Sequence, residues 1–508
     1  MILRNASTTF ARQAVTGVVG IVLIPFILHH IGAAQYGVWV LAQSLLRYAD
    51  LCEFGLGTTL RKKVSEHLWA GEFEEANGIV GQLSLLLYGV GALLAVVAGL
   101  GAWGLPHLLP LKHAEVALFQ SVFLLIGLQA AFAFAVSPWE GVLTAGEDFH
   151  VVNGLSIAGT LARCAYTLVL LNRGQGLVSL LLAQFVVLVL LWAAKCVFVW
   201  RRYPAIRFRP AWRGRQALLP LLRFSGGVFV SQVSSVLSND TDKVIVGAIL
   251  GPAQVAVYQI GYRLYDFARS LFVSPVGVLL PRFSALDAQG RQARLTETMC
   301  HASSVMVAIL VGAYAPLMIW SGELIRLWVG PKFQGSQAVL FILSMAMMTQ
   351  AHNSALGFAL FGVGDYVTVP RVALIRAVVN VAVSVVLCYL IGLPGVALGT
   401  VVTGLPAQAY LTWFAVRRFD LSHWRYWVRP LLGASIGVGV AWGVVTIAIA
   451  ARASTTWLDL ATAFAGFEAV YWCVVLAVGM DPQTRSALFR MAGHRASPVA
   501  RTGLAVGR

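Results

Sequence analysis

The sequence predicts an all-α polytopic membrane protein of about 14 transmembrane helices, arranged as two parallel six-helix lobes followed by two C-terminal helices. Three observations carry that expectation. The chain is 58% hydrophobic and 11% charged over 508 residues, its apolar runs are each long enough to cross a bilayer, and its two halves repeat at an offset of 219 residues. Such a composition leaves no room for a sizeable soluble domain. The net charge of +16 sits in short segments between apolar runs, which points to a membrane surface and away from nucleic acid.

Runs of roughly twenty apolar residues fall at 10–30, 36–60, 79–102, 115–139, 150–171, 176–200, 221–249, 253–280, 299–320, 335–362, 367–391, 395–416, 430–450 and 457–479. The first follows Met1 to Arg12 without a small-residue cleavage site, so it reads as a retained helix. An even number of spans places both termini on one side. The positive-inside rule makes that side cytoplasmic, because outside segments then hold just Lys112, Arg173, Arg326, Lys332 and Arg452. The Arg-rich segment 201–215, between spans six and seven, is expected to join two lobes and to lie against anionic headgroups, with attraction of a substrate phosphate as the alternative. The expected divisions are an N-lobe at 1–215, a C-lobe at 216–425, appended helices at 426–480 and a cytoplasmic tail at 481–508.

The repeat supports the lobes. A shift of 219 places Phe10 on Phe229, Gln13 on Gln232, Gly71 on Gly290 and Gly176 on Gly395, and lays Ile31 to Gln35 over Leu250 to Gln254. Six spans per repeat is an even number, so both halves enter from the same side, as parallel repeats do.

Within these apolar runs stand charges whose insertion costs at least about 3 kcal/mol each near the midplane. They are Arg47, Asp50 and Glu53 in span two, Asp240, Asp242 and Lys243 in span seven, and Arg263, Asp266 and Arg269 in span eight; Arg163 and Arg376 add cations in spans five and eleven. Span seven also carries Ser225, Ser231, Ser234, Ser235, Ser238, Asn239 and Thr241 and is expected to line a wet cavity. Under the repeat, Arg47 falls on Asp266 and Asp50 on Arg269, so the charge order reverses. Reversal fits lobe-to-lobe bridges in one access state, or pairing within each helix at i, i+3. His352-Asn353 reads as a helix-to-helix hydrogen-bond pair. The six cysteines have no metal-ligand spacing and read as packing residues. No catalytic triad, zinc motif or phosphate-binding glycine loop is apparent, so neither catalytic nor metal residues are assigned.

The segments Ile31 to Trp39 (IGAAQYGVW), Arg61 to Glu75 (RKKVSEHLWAGEFEE), Asp242 to Gly251 (DKVIVGAILG) and Pro281 to Gly290 (PRFSALDAQG), with the two-lobe plan, resemble the multidrug/oligosaccharidyl-lipid/polysaccharide exporter superfamily. The likeness is to its Wzx-type polysaccharide flippases. The resemblance implies translocation of undecaprenyl-diphosphate-linked oligosaccharide from the inner to the outer leaflet of the bacterial cytoplasmic membrane, for O-antigen, capsule or exopolysaccharide synthesis. It implies no enzymatic activity and no cofactor, a monomer among membrane lipids, and a polysaccharide polymerase or other assembly proteins as neighbours.

The residues fit that chemistry. A diphosphate needs cations and a glycan needs hydrogen-bonding groups along any path through hydrocarbon. Arg47, Lys243, Arg263 and Arg269, extended by Arg163 and Arg376, are the candidate substrate contacts. Asp50, Glu53, Asp240, Asp242 and Asp266 are candidates for binding a coupling Na⁺ or H⁺, or for neutralising the cations. Two other readings stand beside the flippase: a cation-coupled drug exporter of the same superfamily, and a membrane polymerase or ligase of the same pathway. The basic spans fit the first alternative poorly, and short outside segments fit the second poorly.

Overall fold

The computed structural model describes residues 2–449 and 456–486. Among them there is no strand, and 18 α-helices follow one another. In chain order they are α1 (Ile2–Arg47), α2 (Leu56–Ala70), α3 (Phe73–Gly104), α4 (His113–Ala145), α5 (Phe149–Asn172), α6 (Leu177–Arg202), α7 (Arg215–Asn239), α8 (Thr241–Leu250) and α9 (Pro252–Val273). Then come α10 (Leu280–Ala288), α11 (Gln292–Ile319), α12 (Ser321–Val329), α13 (Ser336–Gln350), α14 (Leu356–Gly362), α15 (Thr368–Ile391), α16 (Leu393–Phe419), α17 (Arg429–Ile449) and α18 (Trp457–Val474). Nine helical segments among the described residues are long and apolar enough to cross a membrane.

The difference from the expected spans has local causes. Spans one and two run together as α1, bent at Gly32, whose φ of 74° and ψ of 172° are not helical. Span seven is split at Asp240 and span ten by a tight turn at Ala351–Asn353. Span eight carries three charged residues and span twelve holds Pro406 with several polar side chains, which lowers their apolar content.

The chain divides into two compact units. One comprises 1–277, 317–347 and 364–411; the other comprises 278–316, 348–363 and 412–508. The first unit has a core in which Val38, Leu41, Val246, Tyr258, Ile260 and Leu340 are wholly buried. Its outer faces are apolar too: Leu93, Val96, Leu100 and Trp103 on α3 and Val186 and Leu190 on α6 are exposed, as lipid-facing side chains are. In the second unit α18 packs on α11, where the Tyr471 ring fills the space left by Gly312 and its hydroxyl donates to the Ala308 carbonyl at 2.8 Å. His352 and Asn353 both bond the Thr412 hydroxyl, at 2.7 and 3.1 Å, and Tyr426 donates to Asn353 at 3.0 Å. That pair therefore links helices.

Backbone torsions agree at glycines 219 positions apart. Gly251, 219 positions after Gly32, has φ 87° and ψ 169°, close to the values at Gly32. Gly71 and Gly290 both have positive φ and both close a helix in the same way. After Gly71, Glu72 N–H bonds His67 C=O at 2.9 Å; after Gly290, Arg291 N–H bonds Leu286 C=O at 3.0 Å. This six-to-one bond is the Schellman cap, whose left-handed residue favours glycine because it lacks Cβ.

The connector 203–214 is strapped onto α3. Asn77 donates to Ala205 C=O at 3.0 Å and accepts from Arg207 N–H at 2.7 Å. Ala211 N–H reaches Gly81 C=O at 3.3 Å, Gln82 donates to Gly214 C=O at 3.2 Å, and Arg213 pairs with Glu75 at 2.9 Å. Phe208 stacks on Trp139 with ring centres 3.6 Å apart. Backbone polar groups that would otherwise need water are met by protein, while the side chains of Arg201, Arg207, Arg209 and Arg215 remain exposed. Beside the strap, Tyr203 donates to Asp148 at 2.7 Å. Burial and that carboxylate push its phenol up from the ordinary tyrosine range.

Candidate functional site

The site begins where α7 ends. Ser234, Ser235, Ser238 and Asn239 offer the backbone competing hydrogen bonds, and Asn239 takes the Ser235 carbonyl at 2.8 Å. The helix breaks at Asp240, with φ −115° and ψ −25°, and α8 restarts with Thr241, Asp242 and Lys243, all buried. Charges buried among apolar helices must be paired or hydrogen-bonded.

Asp240 meets that requirement with cations. Lys243 Nζ lies 2.9 Å from one carboxylate oxygen, and Arg47 Nε reaches the other at 3.7 Å. Arg47 in turn holds Asp50 at 2.6 Å, and Lys243 sits 4.5 Å from the centre of the Tyr262 ring, a cation–π contact. These four charged side chains line a cavity of about 330 Å³ together with Gln43, Ser44 and Gln259. The Gln259 side-chain oxygen has no hydrogen-bond partner among the described residues. Two acids and two bases make the cavity formally neutral yet densely polar.

Asp242 is met differently. Tyr258 donates to it at 2.7 Å, Asn380 at 3.4 Å and Thr400 at 3.5 Å, and it makes no ion pair within 4 Å among the described residues. Behind it, the Asn380 oxygen accepts from Thr403 at 3.2 Å and from Ser384 at 3.4 Å. Helices α8, α9, α15 and α16 thus converge on one carboxylate through neutral groups.

On α9, Arg269 is bound to Asp266 at 2.7 Å. In this structure Arg47 and Arg269 therefore pair within their own segments at i, i+3, and the contact that leaves a segment is Arg47 to Asp240. Arg376 points inward from α15, 3.5 Å from the Ser238 hydroxyl and within electrostatic reach of Tyr265, Asp242 and Arg269. Arg263 lies over α1, where a Cβ on Gly20 would stand 2.1 Å from its guanidinium, and it makes no hydrogen bond or ion pair among the described residues. Glu53 lies against Gly57 and Gln232, within electrostatic reach of Arg61, and Arg163 is exposed on α5 beside Tyr166; neither lines the cavity.

Sequence reasoning missed Gln43, Gln259, Tyr258, Tyr262, Asn380, Thr400 and Thr403. A signal existed for some of them. Tyr258, Tyr262 and Tyr265 recur at i, i+4, i+7 along α9, and Asn380 is a lone amide in an apolar span.

A model of the family described as polysaccharide biosynthesis protein matches residues 118–338. The probable low-salt glycan biosynthesis flippase Agl15 of Haloferax volcanii is 22% identical over 411 residues, 78% of this chain and 81% of that protein. Among solved structures, the lipid II flippase MurJ in an inward closed conformation superposes with a TM-score of 0.71 at 14% identity, covering 97% of this chain and all of that one. An inward-facing multidrug resistance MATE family transporter of the MOP superfamily gives 0.70 at 15% identity, over 81% of this chain and 94% of that one. The chain has the MOP-superfamily fold. The resemblance to polysaccharide flippases of that superfamily is borne out. With the nine apolar helical segments, the MOP fold makes this a multi-pass membrane protein.

Proposed function

We propose that this protein is a flippase moving undecaprenyl-diphosphate-linked oligosaccharide from the cytoplasmic to the outer leaflet of the bacterial inner membrane, with both termini cytoplasmic. The observation that carries the reading is the charge-paired cavity in which the buried Asp240 and Lys243 meet the more exposed Arg47 and Asp50. Its cations are already held by carboxylates, so an incoming diphosphate binds by displacing Asp50 and Asp240 from them. Occupancy then weakens contacts that join segments of the chain, and alternating access follows from that competition. The glycan meets Gln43, Ser44 and Gln259.

Asp242 takes the coupling role, for Na⁺ or H⁺, because its donors are neutral and no fixed cation is paired with it. The relatives named as flippases support a transporter over a polymerase or ligase. The multidrug transporter shares the fold, but a cavity lined by the buried Lys243 and by Arg47 suits an anionic cargo better than a cationic drug.

The test is reconstitution in liposomes with a lipid-linked oligosaccharide and a glycosidase outside. Wild-type protein should expose the glycan, and Lys243→Ala or Arg269→Ala should slow exposure while remaining inserted. Wild-type vesicles that expose no more glycan than protein-free ones would overturn the flippase reading.

A further inference from the structure

A second cavity, of about 540 Å³, runs between α15 and α16. Its walls are apolar, from Val372, Ile375 and Val379 on one helix and Pro406 and Ala407 on the other. Two arginines share it. Arg371 is in the first turn of α15, exposed, with no hydrogen bond from its guanidinium among the described residues. Arg376 is five residues further on, about 7.5 Å along the axis at 1.5 Å per residue.

We propose that this groove seats the polyprenyl chain of a polyprenyl-diphosphate-linked glycan, and that Arg371 and then Arg376 receive its diphosphate on the way to the central cavity. This rests on the flippase reading. The arrangement of charge favours that occupant over an ordinary phospholipid. A phospholipid keeps its phosphate at the headgroup level, where one cation at the mouth suffices. Arg376 stands deeper, where arginine costs about 3 kcal/mol, and it does not turn back toward the surface. It faces inward to Ser238, toward Asp242 and Arg269. A lipid whose phosphates travel inward uses both positions, and an apolar channel beside them takes its chain. Thr403 also lines the groove and donates to Asn380, which donates to Asp242, so the wall of the groove is two hydrogen bonds from the buried carboxylate.

The test uses the full-length protein in nanodiscs of phosphatidylcholine and a diazirine-bearing undecaprenyl diphosphate, a probe whose binding needs no flux. Labelling is expected on peptides covering 367–379 and 403–410, competed by unlabelled undecaprenyl diphosphate and not by equal phosphatidylglycerol. Arg376→Ala should cut labelling about tenfold, the loss of one charged phosphate contact. Ile375→Trp, which fills the groove from an exposed position, should cut it without disturbing the fold, and Leu93→Ala on the outer face of α3 should leave it unchanged. Equal competition by phosphatidylglycerol, or labelling indifferent to both groove variants, would overturn the proposal. Loss of groove labelling with glycan flux intact leaves the flippase reading standing; groove labelling without flux overturns that reading and leaves the groove.

Discussion

Asp240 and Asp242 are two residues apart at one helix break, both buried, and their surroundings are opposite. Asp240 is clamped by Lys243 and reached by Arg47. Asp242 is held by a phenol, an amide and a hydroxyl. Because residues i and i+2 project to nearly opposite sides at about 3.6 residues per turn, one break serves two chemistries. The fixed pair needs no mobile ion, whereas the carboxylate among neutral donors has its charge uncompensated by any ion pair.

The sharpest way to break this contrast is at Lys243. Removing one member of a buried pair costs about 3–5 kcal/mol, so Lys243→Ala should lower the thermal midpoint in detergent markedly. Lys243→Met with Asp240→Asn should recover most of that stability but not flux. Flux restored in the double variant would show that the pair has no part in transport.

Next in size is coupling. One charge moving through 100 mV is worth about 2.3 kcal/mol, or about 50-fold in a transport ratio. Asp242→Asn should abolish the dependence of glycan flux on an imposed Na⁺ or proton gradient, while Asp240→Asn should keep that dependence. Gradient-driven flux persisting in Asp242→Asn moves the coupling site elsewhere.

Tyr258→Phe tests the support of Asp242 directly. Loss of a hydrogen bond to a charged group costs about 1.5–3 kcal/mol, and denaturation in detergent should register a fall in that range. An unchanged midpoint would mean Asp242 does not rely on the phenol.

The smallest effect is expected at Arg47, whose side chain is 59% exposed. Arg47→Ala should change stability by less than about 1 kcal/mol, with its cost appearing in flux. Exchange partners then separate two pairings. Arg47→Asp with Asp50→Arg should recover activity if the segment's own pair matters; recovery by Arg47→Asp with Asp266→Arg points to a bridge made in another access state.

The sequence revealed the membrane class and the charged positions because composition and apolar run length report burial in lipid directly. Breaks were harder. Asp240 lies in a polar run that lowers hydropathy without saying whether the helix bends or stops. Partnerships were harder still, since Asn380 meets Asp242 across 138 positions, a distance no local period encodes. The docking of connector 203–214 on α3 was hidden for a related reason. Its arginines advertise a lipid surface, but its placement is decided by backbone groups and by Asn77, which carry no hydropathy signal.

The paired glycines have a consequence for how the expected repeat is recognised. Between the two halves, side-chain chemistry has drifted so far that Arg47 corresponds to Asp266, yet Gly32 with Gly251 and Gly71 with Gly290 keep matching left-handed torsions. A charge can invert and still find a partner, whereas a positive φ tolerates few replacements. The expected repeat is therefore better tested by aligning backbone handedness than by aligning residues. A half-length chain built on those glycines, examined for assembly as a dimer, would test that repeat physically.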